Sequence, residues 1–253
     1  MVVEQAVSGP VLFARYAFPP NQRGYCGPSD AAGFFAQAAN GDNDGLRRQA
    51  RDFDGALPHL ELIAAATEID DPLDPRVVEA YWLGGPELER VAGHAVADAV
   101  EQQWRGRSGP VYVGVRTALA AGARPHHSFT VLCVYPWVAM LGDPRRTPQA
   151  MVVLDRCRIR WGRVLDTDGD TLRVESTPLV WTGDRLALGA PVVEPARRAI
   201  DGIGLSEPLT PGDTVALHWD WVCDRITGAQ QQALQGYTGR HIDLVNDWLV
   251  DRG

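Results

Sequence analysis

The stretch Cys157-Arg158-Ile159-Arg160-Trp161-Gly162-Arg163-Val164-Leu165-Asp166-Thr167-Asp168-Gly169-Asp170-Thr171-Leu172-Arg173-Val174-Glu175 decides the architecture of the C-terminal half. Its hydrophobic period is two, which predicts strands over 159–165 and 172–175. Asp168-Gly169 between them is the residue pair of a tight hairpin. Just upstream, 151–155 reads as another short β run. Downstream, 214–223 predicts a further strand. Val215, Leu217, Trp219 and Trp221 lie on one side of it, and Ala216, His218, Asp220 and Val222 on the other. A last helix from about 239 to 250 puts His241, Leu244, Val245, Trp248 and Leu249 on one stripe. Short strands with turn signals, closed by one helix, predict a small OB-like β-barrel.

Moving outward, the segment 142–150 (GDPRRTPQA) carries two prolines and two arginines between apolar neighbours and is read as a linker. It divides the chain into residues 1–141 and 151–253. The first part is mostly helical. Short helices are expected over 28–39, 57–66 and 75–83, and a longer one from Pro86 to about Trp104. Two buried strands are expected over 111–115 and 129–135. The fold class is therefore α+β: an α-rich N-terminal domain followed by an OB-like barrel with a C-terminal helix.

Composition narrows the function. There are 24 basic and 32 acidic residues, a net charge of −8, which argues against a general nucleic-acid or anionic-membrane binder. Every basic residue is Arg, so chemistry that needs a lysine amine is excluded, including Schiff bases and the Walker-A phosphate loop. No apolar run is long enough for a transmembrane helix. The four cysteines, Cys26, Cys133, Cys157 and Cys223, form no C-x-x-C pair, and a reduced, cytoplasmic protein is expected.

Two short segments carry more specific information. Cys157 is followed, after four residues, by Gly162-Arg163-Val164 and the acidic-glycine hairpin; later comes Pro211-Gly212-Asp213-Thr214-Val215-Ala216-Leu217-His218. In this order, and with a closing helix, they resemble the HypC/HupF family of hydrogenase assembly chaperones across about residues 151–250. In that family the cysteine directly follows the initiator Met, a proline stands where this chain has Trp161, and no segment as long as 176–208 interrupts the strands. The resemblance implies that Cys157 and His218 bind metal, supported by Gly162, Gly212 and Asp213. The cargo implied is iron carrying cyanide and carbonyl ligands, held transiently. The implied partner is the precursor of a [NiFe] hydrogenase large subunit or a HypD-like scaffold protein. A soft thiolate suits carbonyl-bearing iron, an imidazole is a fitting second ligand, and Arg158 and Arg160 beside Cys157 are expected to favour its thiolate. Without the resemblance, Cys157 and His218 would be read as ordinary strand residues.

The N-terminal part offers a second constellation. The segment 18–28 (FPPNQRGYCGP) reads as a rigid loop that places Cys26 before a helix start, where a thiol pKa is lowered. His126 and His127 stand at the entry to an expected strand. Two readings follow: Cys26 with either histidine as the pair of a cysteine-dependent hydrolase or transferase, or the same residues as a second site for the iron group. A third is purely structural, with a tight turn whose Tyr25 and Phe18 pack on the core.

Overall fold

A computed structural model of the chain describes residues 7–103 and 122–251. The strand expected over 111–115 lies outside the described residues. The N-terminal half is built from α1 (Gly9–Gln22), α2 (Ala31–Asn40), α3 (Asn43–Ala50), α4 (Leu57–Thr67), α5 (Pro75–Leu83), a 3-10 turn (Pro86–Arg90) and α6 (Gly93–Gln103). α2, α4 and α5 match the expected segments closely. Asp30 and Asp74 cap α2 and α5 by accepting backbone N–H groups, and Pro75 opens α5. The single helix expected from Pro86 is instead broken at Val91, which is extended.

Two expectations are corrected here. The segment expected as a loop from Phe18 is partly helix, because α1 continues through Pro19 and Pro20. α1 is buried on nearly every side, so it has no amphipathic stripe to read. The run over 129–135 is no strand: α7 (His127–Phe129) passes into a π-helical turn over Thr130–Val134. A short, wholly buried apolar run has the same pattern in either state.

The linker is also shorter than expected. α8 (Thr147–Cys157) begins within it, with Pro148 in its first turn, and replaces the expected β run at 151–155. The strands β1 (Arg160–Asp168), β2 (Thr171–Ser176), β3 (Leu179–Trp181), β4 (Leu186–Leu188), β5 (Val192–Arg197), β6 (Ala199–Ile200), β7 (Ile203–Gly204), β8 (Thr214–His218) and β9 (Trp221–Arg225) follow, and α9 (Gly228–Val250) closes the chain. Thus 214–223 is not one strand. The chain turns at Trp219, whose φ of 57° is left-handed, and β9 returns against β8 with His218 opposite Trp221.

The barrel order is β1-β2-β5-β9-β8, closed by antiparallel pairing of β1 with β8 and a parallel contact of β5 with β9. β1 and β2 meet at the Asp168-Gly169 hairpin, as expected. The segment 176–208 does more than interrupt the strands: β5 within it is a barrel stave, and β3-β4 is a separate hairpin. Alternate residues Val164, Leu172, Val174, Ala196, Val215, Leu217 and Val222 fill the barrel. Gly162 stands where β2 presses closest: a Cβ there would meet Val174 Cγ1 at 2.4 Å. The main core is continuous across the two halves, running from Phe13, Phe18 and Trp82 to Trp161, Trp221 and Leu234. Phe18 meets Trp221 edge-on at 5.2 Å.

Candidate metal centre

Three elements end at one point. Cys157 is the last residue of α8, His218 the last of β8, and His127 the first of α7. One ligand atom from each lies within 4.8 Å of the others, and all three residues are buried. The structure therefore joins the expected Cys157–His218 pair with a histidine that the sequence assigned to a different site.

Main-chain chemistry explains how each ring is held. In α1 the carbonyl of Tyr16 should accept from the N–H of residue 20, but residue 20 is proline and has none. His218 Nδ1 donates to that carbonyl instead, at 2.7 Å. Its proton is thereby fixed on Nδ1, and the lone pair on Nε2. Nε2 makes no hydrogen bond among the described residues and belongs to a side chain with 0% exposure. The second anchor is a helix C-terminus. The carbonyl of Cys157 lies among the last four of α8, which lack intrahelical donors, and His127 Nε2 donates to it at 2.8 Å. His127 Nδ1 meets the Tyr81 hydroxyl at 3.2 Å.

An aromatic wall excludes water. The Trp82 ring lies 4.6 Å from that of His127 and 5.8 Å from that of His218, and Tyr16 stacks on Trp82 at 5.6 Å. Burial holds both imidazoles neutral, with the pKa of His127 lowered to about 3 and that of His218 well below its ordinary value. Burial also pushes the Cys157 thiol up, Cys26 adds to this, and the Trp219 indole opposes it. Neutral imidazoles and a protonated thiol are the resting state of a dry site that gains its charge with a cation.

The arginines do not act as expected. Arg158 is buried and bonds to Asp155 Oδ1 (3.1 Å) and the Thr177 carbonyl (2.7 Å). Arg160 pairs with Glu194 and donates to Ser176 and to the Trp219 carbonyl. Their charges are neutralised within the barrel wall, and the Cys157 thiol is not lowered. Gly212 supplies a left-handed turn (φ 99°), and Asp213 accepts from Thr210 N at 2.8 Å and pairs with Arg225. These two residues, like Gly162, shape the barrel.

Cys26 is not activated either. It lies four residues before the α2 N-cap, and burial pushes its thiol up to about 12. His126 and His127 part company because they open a helical turn, not a strand. His126 Nδ1 caps that turn by accepting from Ser128 N at 3.0 Å, and Ser128 Oγ links it to His241 Nδ1 on α9. Both His127 nitrogens are engaged as described above, so neither ring is oriented by a Cys26 thiol. Tyr25 does pack as a structural residue, stacked on Trp219 at 4.7 Å.

Sequence reading missed Tyr16, Pro20, Tyr81 and Trp82. The one available signal was the Phe18-Pro19-Pro20 run, since a proline inside a helix frees a carbonyl for some other donor. Among the described residues no helix is long and apolar enough to cross a membrane. Comparison with known proteins gave no match among curated proteins and none among solved structures. A family model does match, over residues 5–252, and the chain belongs to that family, DUF6390, a family of unknown function.

Proposed function

We propose that the chain is an accessory, non-catalytic assembly protein of [NiFe] hydrogenase maturation, working in the cytoplasm. It would hold an iron–cyanide–carbonyl precursor through Cys157 and His218 and pass it to the large-subunit precursor or receive it from a HypD-like scaffold. The supporting observation is the convergence of Cys157 and His218 from the two motifs, in a buried site where one imidazole nitrogen of His218 has no hydrogen-bond partner among the described residues. One soft sulfur and one neutral imidazole are a donor set that low-spin iron accepts. Arg158 and Arg160 support the site by holding the wall of the barrel around it.

The hydrolase reading with Cys26 and either histidine finds less support, because the thiol is raised by burial and the rings are bonded elsewhere. The deciding experiment is anaerobic affinity purification from the native host followed by infrared spectroscopy in the cyanide and carbonyl stretching region. Bands that vanish in Cys157→Ala, with a hydrogenase component co-purifying, are expected. A folded protein with neither bands nor a hydrogenase component overturns the reading.

A further inference from the structure

We infer that His127 is a third ligand beside Cys157 and His218, completing a single site for a first-row divalent cation of borderline softness such as ferrous iron, zinc or cobalt. The inference deepens the reading above and takes from it only the Cys157–His218 pair; the identity of any cargo plays no part.

Four observations lead to it. The three donor atoms lie within 4.8 Å of one another, a spacing that a small inward shift brings onto one ion. Each imidazole has one nitrogen on a main-chain carbonyl, His218 on Tyr16 and His127 on Cys157. Such bonds to a carbonyl are what commonly orient a metal-binding histidine and fix its tautomer. The remaining nitrogen of His218 is fully buried and bonds to nothing among the described residues, so its lone pair has a use only if something else enters. His127 has an exchangeable partner: the Tyr81 hydroxyl is 3.2 Å away and also lies 3.4 Å from the Gly55 carbonyl. With Nε2 donating to the Cys157 carbonyl, His127 keeps its lone pair on Nδ1, and the hydroxyl can turn its proton to the Gly55 carbonyl and leave that nitrogen to the ion.

The donor set selects the ion. One thiolate and two imidazoles suit zinc, cobalt and ferrous iron, and disfavour calcium and magnesium, which require oxygen ligands. Binding releases one proton, from the Cys157 thiol to solvent, as the metal–sulfur bond forms. Three protein donors leave a coordination position open, in the manner of sites where a further ligand binds. His127 belongs to the N-terminal half and the other two ligands to the C-terminal half, so a bound ion bridges the helical part to the barrel.

The test is an anaerobic titration of the full chain with cobalt(II). One equivalent is expected to give a thiolate-to-cobalt charge-transfer band in the near ultraviolet and intense visible bands of a four-coordinate ion. Cys157→Ser should abolish the charge-transfer band. His127→Ala and His218→Ala should each weaken binding at least about tenfold, while the exposed His94→Ala leaves it unchanged. X-ray absorption of the cobalt-loaded wild type requires no variant to fold, and should count one sulfur and two imidazoles. A missing charge-transfer band, a His127→Ala titration identical to wild type, or a single imidazole in the absorption fit overturns the third ligand. Cobalt bound as expected, with no cyanide or carbonyl bands in the native protein, keeps this site and overturns the cargo reading alone.

Discussion

At the scale of single residues, the site depends as much on missing donors as on ligands. Pro20 lacks the N–H that would close the helix onto the Tyr16 carbonyl, and His218 takes its place. Pro20→Ala should therefore weaken cobalt binding about tenfold while leaving every ligand in place, a typical cost of losing an outer partner. Unchanged affinity with unchanged helicity would show that the carbonyl does not orient the ring. Arg160 carries the opposite lesson. It is buried, and its partner Glu194 is held charged against the burial that opposes it. Arg160→Ala should lower stability by about 3 kcal/mol in urea unfolding, because a buried carboxylate loses its main counter-charge. A loss below about 1 kcal/mol would mean that Arg156 alone neutralises Glu194. Cys157 and His218 were legible in the sequence because each sits in a short ordered motif. His127 was legible as a candidate residue of a different site, with Cys26; its partners here come from a backbone conformation that no residue spacing announces.

Elements decide access. Cys157 is only 7% exposed, and the turn between β8 and β9 lies over it. Trp219 occupies that turn in a left-handed conformation that is uncommon for a bulky side chain. Tyr25, 47% exposed, covers its ring, and Arg23 reaches over the same ring while pairing with Asp220. Outside lies an open cleft of about 390 Å³ whose floor includes Arg156, Glu194 and Trp219. Tyr25 and Arg23 thus cover the Trp219 ring, and Trp219 in turn packs in one cluster with Cys157. Tyr25→Ala should raise the alkylation rate of Cys157, followed by site-resolved mass spectrometry, about tenfold, and Tyr25→Phe should retain the wild-type rate because the stack persists. Equal rates in all three proteins would place the entry route elsewhere. Legibility at this scale followed the caps. α5 was readable from Pro75 and α2 from its polar start, whereas α1 and the π-helical turn are buried runs in which helix and strand look alike, and the short apolar run 151–154 of α8 carries the same ambiguity. The two motif-bearing strands of the barrel were readable from their turns, and β5 was not, because it lies inside what looked like an insertion.

Across the whole molecule, one continuous core and a set of neutral histidines make stability depend on pH. His59 shows the effect without ligand or hydrogen-bond complications. It is 1% exposed on α4, its ring lies 5.9 Å from that of Tyr81, and neither nitrogen is bonded among the described residues. Burial lowers its pKa to about 4, against an ordinary value of 6.5. Between those values the unfolded chain binds the proton and the native chain does not, so stability is fully present above 6.5 and falls as the pH drops through this window. The ring is held by packing alone, so Phe in its place loses no hydrogen bond and removes the proton-binding difference. His59→Phe should match or exceed the wild type near pH 8 and surpass it by about 2 kcal/mol more at pH 5, where one and a half pH units of linkage act. Urea unfolding of both proteins at the two pH values measures this directly. A stability difference independent of pH would mean that His59 is hydrated in the native state. His241 adds a second contribution of the same sign, since burial lowers it to about 3 while it bonds to Ser128. The residual slope in His59→Phe therefore collects the remaining buried histidines, His126 and His241 where α7 meets α9 and His127 and His218 at the candidate site.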